Sequence, residues 1–219
     1  MLRGSDITKA ELRRRLLDVR AGLTPGEVLT AGRRLAEHAL ELPELTGAAP
    51  GPDGAGAGPG RRGHAGTTTV AAYVSVGREP DTREVIDVLR ERGTRVLLPV
   101  LLPDNDLDWA EYEGGGHTLA EAGRGLLEPI GPRLGPEAVL AADAVLLPGL
   151  AVDRRGVRLG RGGGSYDRVL DRLERAGTDP ALVVVLYDGE VLESVPAEEH
   201  DRAVHAAVTP SAVHRFRPH

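Results

Sequence analysis

Residues 153–168 read DRRGVRLGRGGGSYDR, from Asp153 to Arg168. An apolar, strand-like segment, Ala144–Leu150, feeds into this run through Pro148 and Gly149. An amphipathic helix leaves it with Val169, Leu170 and Leu173 on one face. Strand, glycine-rich turn and helix start form an arrangement that binds phosphate. Glycines without a Cβ let the backbone close on an oxyanion, and the unpaired N–H groups of the first helical turn point at it. Arg158 and Arg161 add fork-shaped cationic donors suited to phosphate oxygens. Asp167, in the first turn, is placed to hold a magnesium ion bridging to a nucleotide. The run departs from the commoner glycine signatures. A Walker A loop needs Gly-Lys-Ser/Thr where Gly164 is followed by Ser165 and Tyr166, and the third glycine of a dinucleotide fingerprint is replaced by Ser165. The plainer alternative is a flexible glycine turn with Ser165 capping the helix and Asp167 complementing its dipole.

The run resembles the signature of the 5-formyltetrahydrofolate cyclo-ligase family, also called methenyltetrahydrofolate synthetases. The residues that carry the resemblance are Pro148, Gly149, Leu150, Ala151, Asp153, Gly156, Arg158, Leu159, Gly160, Arg161, Gly162, Gly164, Tyr166 and Asp167. Two positions depart from the commonest family pattern. Gly163 stands where many members carry a lysine, and Ser165 replaces the first tyrosine of a Tyr-Tyr-Asp. The first change removes a phosphate-facing charge and leaves more to Arg161. The second leaves a roomier, less aromatic wall beside the substrate.

Separated pieces extend the resemblance. Lys9-Ala-Glu-Leu-Arg13 is similar to the opening Lys-x-x-x-Arg helix of the family, whose cations reach the ATP phosphates; the i,i+4 spacing puts both side chains on one helix face. Such a pair is ordinarily just a solvated surface. Lys9, however, is the only lysine of the chain, every other Lys/Arg position being arginine. The stretch TVAAYVSV, residues 69–76, followed by Gly77-Arg-Glu79-Pro-Asp81-Thr82, resembles the family strand and Gly-x-Glu-x-x-Thr turn, which implies folate contacts for Val74 and Glu79. Asp81, with Glu84 three residues on, reads as the N-cap of the next helix. Leu107-Asp-Trp109 holds the only tryptophan of a chain that is 3% aromatic and resembles a family segment near the folate ring. Residues 125–129, GLLEP, resemble a family turn read as structural. Pro196-Ala-Glu-Glu-His-Asp201 matches a segment whose aspartate is a magnesium ligand in the family.

The chain has 219 residues, is 41% hydrophobic and carries a formal charge of −6, so it fits one domain with a full core and lacks the basic balance of a nucleic-acid module. With no cysteine it has no disulfide and no thiolate metal site. No stretch reaches membrane-span length and the N-terminus lacks an apolar signal core, which points to a cytoplasmic protein. Helices are expected over 7–21, 25–42 with a Thr24–Glu27 capping box, 82–92 and 166–176; strands over 69–76, 95–101, 144–149, 181–187 and 204–208. Residues 47–68, rich in Gly, Pro and Ala, read as a disordered surface insertion. Alternating strands and helices predict an α/β fold with a mainly parallel sheet covered on both faces, and the family fold implied is a Rossmann-like, three-layer α/β/α sandwich.

The activity implied by the resemblance is ATP- and Mg2+-dependent cyclisation of 5-formyltetrahydrofolate to 5,10-methenyltetrahydrofolate, a step of one-carbon metabolism. The residues implied for ATP are Lys9, Arg13, Arg158, Leu159, Gly160, Arg161, Gly162, Gly163, Gly164, Ser165 and Tyr166. Those implied for the folate are Val74, Glu79, Trp109 and the stretch 161–165. Asp167 and Asp201 are implied for magnesium, and Arg161 with Lys9 for catalysis. The expected partners are small molecules only, with no nucleic acid or membrane, and a monomer is expected. Two other readings remain open: a folate- or nucleotide-binding relative without turnover, and a sugar-phosphate isomerase or acyl-transferase on a similar fold.

Overall fold

The computed structural model describes residues 7–47, 67–198 and 201–216. Residues 48–66, most of the expected insertion, lie outside the described residues.

Helix α1 (Lys9–Ala21) and helix α2 (Pro25–Ala39) each start from a reciprocal capping box, Thr8–Glu11 and Thr24–Glu27, with Pro25 in the first turn of α2 where its missing N–H costs nothing. The expected helix over 25–42 is divided. Leu42 is extended ahead of Pro43, and a short helix α3 (Pro43–Thr46) follows. Strand β1 (Thr69–Ala71) is shorter than the apolar run 69–76 predicts. Beyond Ala72 the chain stays buried but leaves the ladder, because its N–H groups find side chains instead: Ser75 donates to Thr82 Oγ1 at 3.0 Å and Val76 to Glu79 Oε2 at 2.9 Å. Thr82 occupies the N-cap position of helix α4 (Arg83–Glu91) without a side-chain cap bond, its hydroxyl donating to Tyr73 O at 2.6 Å, and the Asp81–Glu84 box is not formed. Asp81 Oδ1 accepts instead from Arg83 N–H at 3.1 Å and from the Ser75 hydroxyl at 3.1 Å, bracing the same turn.

Strands β2 (Arg95–Leu101) and β3 (Leu107–Glu111) form a hairpin that the parallel reading did not anticipate; Asn105, at φ 64°, turns the chain between them. Strands β4 (Leu119–Glu121) and β5 (Leu127–Pro129) make a separate two-stranded ribbon. Then come β6 (Ala144–Pro148), β7 (Ala151–Asp153), β8 (Arg158–Leu159), helix α5 (Ser165–Arg175), β9 (Ala181–Val185), β10 (Val191–Leu192), β11 (Ala206–Val208) and β12 (Val213–Arg215). The main sheet runs β12-β11-β9-β6-β1-β2-β3, with the five inner strands parallel and the edge strands β12 and β3 antiparallel. Period-2 alternation sends Val183 and Val185 to one face and Leu182 and Val184 to the other. The first face packs on α2, α3 and α4 through Leu35, Leu45, Ile86 and Leu89; the second packs on α5 through Val169, Leu170 and Leu173. This is the expected three-layer α/β/α arrangement. Helix α1 stands apart from it, with Leu12 on a third apolar cluster formed by Leu150, Val157, Leu159 and Val195 around the small sheet β10-β7-β8.

From β1 the chain builds outward through β2 and β3, and from β6 outward the other way through β9 and β11. The carboxyl ends of neighbouring β1 and β6 therefore diverge into a crevice, the position where open α/β sheets take ligands.

Candidate active site

A cavity of about 350 Å3 occupies that crevice. Its walls come from the segment after β1 (Tyr73, Val74, Val76, Glu79), the β2–β3 hairpin (Pro99, Leu101, Asn105, Leu107), the β5 region (Leu126, Leu127, Glu128), and Pro148, Arg158 and residues 160–167. Gly162 at φ 93° and Gly164 at φ 79° lie in the left-handed region that L-residues avoid, and they let the loop fold back between β8 and α5. Gly164 is the N-cap of α5 and no side chain caps the helix. Ser165 is therefore the first helical residue rather than the cap, and the first-turn N–H groups of α5 are left for an anion.

Every cation assigned to phosphate already has an oxygen partner. Lys9 Nζ lies 2.9 Å from Asp201 Oδ2 and 3.2 Å from Glu198 Oε2. Partial burial pulls the Lys9 ammonium down, but the hydrogen bonds to Asp201 and Glu198 outweigh it and its pKa lies above the ordinary lysine value. Arg13 Nε donates to Gly160 O at 2.9 Å, directly onto the glycine loop. Arg158, with 7% of its side chain exposed, donates to Pro148 O at 3.0 Å and lies 3.1 Å from Asp167 Oδ1. Burial lowers its pKa against the opposing pull of Asp167. Arg161 reaches from the loop to Glu79 Oε1 at 3.2 Å, while Glu79 Oε2 accepts from Val76 N–H. That pair joins the segment after β1 to the glycine loop. Tyr73 and Tyr166 meet edge to face with centroids 6.5 Å apart, and burial raises both phenol pKa values. The Tyr166 hydroxyl and Arg158 Nε, both buried, have no partner among the described residues.

Comparison with known proteins gives the family of the chain. A model of the 5-formyltetrahydrofolate cyclo-ligase family matches residues 62–210. The chain belongs to that family. A Mycolicibacterium smegmatis protein named 5-formyltetrahydrofolate cyclo-ligase is 46% identical over 147 residues, covering 65% of this chain and 73% of the relative. The Escherichia coli K12 protein of the same name is 37% identical over 150 residues, covering 66% of this chain and 79% of the relative. The solved structure of Aquifex aeolicus 5,10-methenyltetrahydrofolate synthetase superposes with a TM-score of 0.73 at 26% identity, covering 97% of this chain and 95% of that one.

In this cyclo-ligase family member the structure brings Val74, Glu79, Arg158, Gly160–Tyr166 and Asp167 onto one cavity, with Arg13 beside its loop. Two expectations need correction. Trp109 is wholly buried among Leu97, Leu107, Val139 and Val145, so it is a core residue and not a folate-stacking wall. Leu159 is 1% exposed, packs with Leu12 of α1 and is not part of the cavity lining, and its carbonyl accepts from Leu150 N–H. Lys9 and Asp201 are paired with each other outside the cavity lining. Sequence reading missed Tyr73, Asn105, Leu126, Leu127 and Glu128. The 125–129 turn, read as structural, contributes three of these wall residues, and Glu128 Oε1 also accepts from Leu101 N–H at 2.9 Å. The Pro-Asp-Asn-Asp run 103–106 was a readable turn signal for Asn105.

Among the described residues no group of three or more His, Cys, Asp or Glu forms a metal cage. Asp167, on the cavity wall with its side chain 66% exposed, is a suitable hard oxygen ligand.

Proposed function

We propose that the chain closes 5-formyltetrahydrofolate to 5,10-methenyltetrahydrofolate, using ATP and releasing ADP and phosphate. The observation that carries this reading is the cavity at the diverging ends of β1 and β6, where the uncapped start of α5 and its glycine loop face Glu79 and an apolar wall. One side is built for phosphate and the other for a flat, partly polar ring.

The N5 formyl group is amide-like and a poor electrophile. Transfer of the γ-phosphoryl group to the formyl oxygen breaks the bond to the β-phosphate oxygen and leaves ADP. It also turns the formyl oxygen into part of a leaving group. The N10 lone pair attacks the formyl carbon, the carbon–oxygen bond breaks, phosphate departs, N10 gives up its proton, and the methenyl bridge is left as an amidinium. The chain supplies positioning and charge more than covalent chemistry. Arg161 is the transition-state clamp, Lys9 and Arg13 hold the outer phosphates, and the residue 160–166 backbone cradles them. Glu79 accepts from the amino-pyrimidinone edge of the pterin, with Val74 beneath it. Binding therefore exchanges the Arg161–Glu79 pair for contacts to the two substrates. A magnesium ion bound with the nucleotide neutralises phosphate charge; Asp167 would hold it, with Asp201 as the second candidate.

We treat the whole chain as one domain acting as a cytoplasmic monomer on these two small molecules, with no nucleic-acid or membrane partner. No described helix is long and apolar enough to cross a membrane. The test is near-UV absorbance of the protein with 5-formyltetrahydrofolate, ATP and magnesium, because the conjugated product absorbs where the substrate does not. A rise that needs both ATP and magnesium supports the reading. Ligand binding without any rise would replace it with a non-catalytic relative.

A further inference from the structure

Helix α1 brings Arg13 onto the glycine loop and Lys9 onto Asp201 and Glu198, and it packs on the third apolar cluster through Leu12, Leu16 and Leu17. Its two buried residues are Leu12 and Arg20. Arg20, in the last turn, is 2% exposed, an unusual place for a guanidinium that touches no phosphate site. Its Nε donates to Glu190 Oε1 at 2.6 Å and its Nη2 to Glu190 Oε2 at 2.8 Å, a fork-to-fork pair that fixes orientation as well as distance. The same Nη2 donates to Gly149 O at 2.7 Å, and the guanidinium lies 5.5 Å from the centroid of the Tyr187 ring.

Each partner leads back to the cavity. Gly149 follows Pro148, whose carbonyl holds Arg158. The Tyr187 hydroxyl lies 3.3 Å from both Arg78 O and Glu79 O and donates into the Glu79 turn. Glu190 Oε2 accepts from Tyr187 N–H at 2.8 Å, locking the 187–190 turn to the pair. One buried cation thus ties the helix bearing Lys9 and Arg13 to the end of β6 and to the segment bearing Glu79.

We propose that Arg20 is a positioning residue for the reaction. Its buried pair with Glu190 sets the tilt of α1, and so the placement of Lys9 and Arg13 against the glycine loop. Arg20 lies eleven residues from Lys9, about 16 Å along the helix, so a tilt of about 4° moves Lys9 by about 1 Å. A displacement of that size is enough to cost about 100-fold in a positioned reaction. The inference rests on the phosphate-holding role given to Lys9 and Arg13 above.

The decisive variant is Arg20→Met combined with Glu190→Leu. Removing one partner leaves a charge buried and alone, whereas replacing both with apolar groups keeps the fold while cutting the anchor. Turnover by absorbance and affinity for a non-hydrolysable ATP analogue by calorimetry are measured on the native and double-variant chains, together with Arg20→Lys, which keeps the charge and loses the fork. The expected result is a KM for ATP and an analogue Kd that rise about tenfold or more in the double variant, with kcat reduced and the KM for folate raised by a smaller factor, since Tyr187 loses its Glu190 partner and braces the Glu79 turn. Arg20→Lys falls between the two. A merely structural strut lowers the active fraction and scales kcat alone, leaving both KM values and the analogue Kd at their native levels; that pattern would overturn the proposal. If the native chain binds the analogue but forms no methenyl product, the ring-closing reading fails, and the Kd comparison still decides the role of Arg20.

Discussion

Gly162→Ala tests whether the glycine loop is shaped by backbone conformation or simply by lack of bulk. Gly162 sits at φ 93°, and a Cβ built there would lie 3.5 Å from the Arg13 guanidinium carbon, an ordinary contact. The penalty is therefore conformational, about 1–2 kcal/mol for an L-residue held in the left-handed region. For a chain of this length that lowers Tm by about 2–8 °C. Gly163 is the internal control, because a Cβ there meets nothing within 4 Å and its φ is outside the left-handed region. Gly163→Ala is expected to cost less than about 0.5 kcal/mol. The loop also has a second response available. If the substituted alanine relaxes to negative φ, it turns the adjoining peptide groups away from the cavity. It then also disturbs the Gly160 carbonyl that Arg13 holds, weakening nucleotide binding about tenfold, or about 1.4 kcal/mol. Calorimetric melting of the three proteins, with and without an ATP analogue, reads both effects. Equal melting and equal nucleotide stabilisation in the two alanine variants would refute the reasoning, since open space would then be the only thing the loop requires.

Arg161→Lys keeps the charge beside Glu79 but loses the planar fork, and kcat is expected to fall about 10²- to 10³-fold with the fold intact; native turnover would remove Arg161 from the clamp role. Trp109→Phe is expected to cost about 1–2 kcal/mol in thermal unfolding, since it opens core space while removing a buried indole N–H that has no partner among the described residues, and to leave the KM for folate unchanged. A tenfold rise in that KM would return Trp109 to the substrate site. Asp106 bonds Arg172 at 2.6 Å, and this hydrogen bond holds its carboxyl below the ordinary value of 3.8. The folded state thus takes up this proton less readily than the unfolded chain. The stabilisation from the pair is complete above the ordinary value and is lost as pH falls through the lowered one. In urea melts at decreasing pH, Arg172→Met should flatten this acid-side loss, and an unchanged slope would show that the pair contributes nothing to it.

Most of the site was legible because its chemistry is local. The strand–glycine loop–helix order, the placement of Arg158, Arg161 and Asp167, and the Lys9–Arg13 face all depend on short-range spacing and periodicity. Glu79 was legible from the turn after β1, although that turn also explains why β1 is short: its side-chain hydrogen bonds replace the ladder. Trp109 was misplaced because a lone aromatic in a strand looks the same whether its face meets a cavity or a helix, and only the packing of α5 and residues 136–141 over that face decides. Tyr73 carried no distinguishing pattern, and Leu126, Leu127 and Glu128 sat in a turn read as structural; strand order brought all four to the site.

By itself the sequence determined the alternation of strands and helices, the strand–glycine loop–helix order around residues 144–175 and the family to which the chain belongs, since each is written in neighbouring residues and their spacing. Tertiary structure alone decided which distant groups meet. It pairs Arg161 with Glu79, 82 positions apart, Lys9 with Asp201, 192 apart, and Arg20 with Glu190, 170 apart. Such pairings follow from the order in which strands assemble and from the cost of burying a charge without a partner, and no local pattern records either.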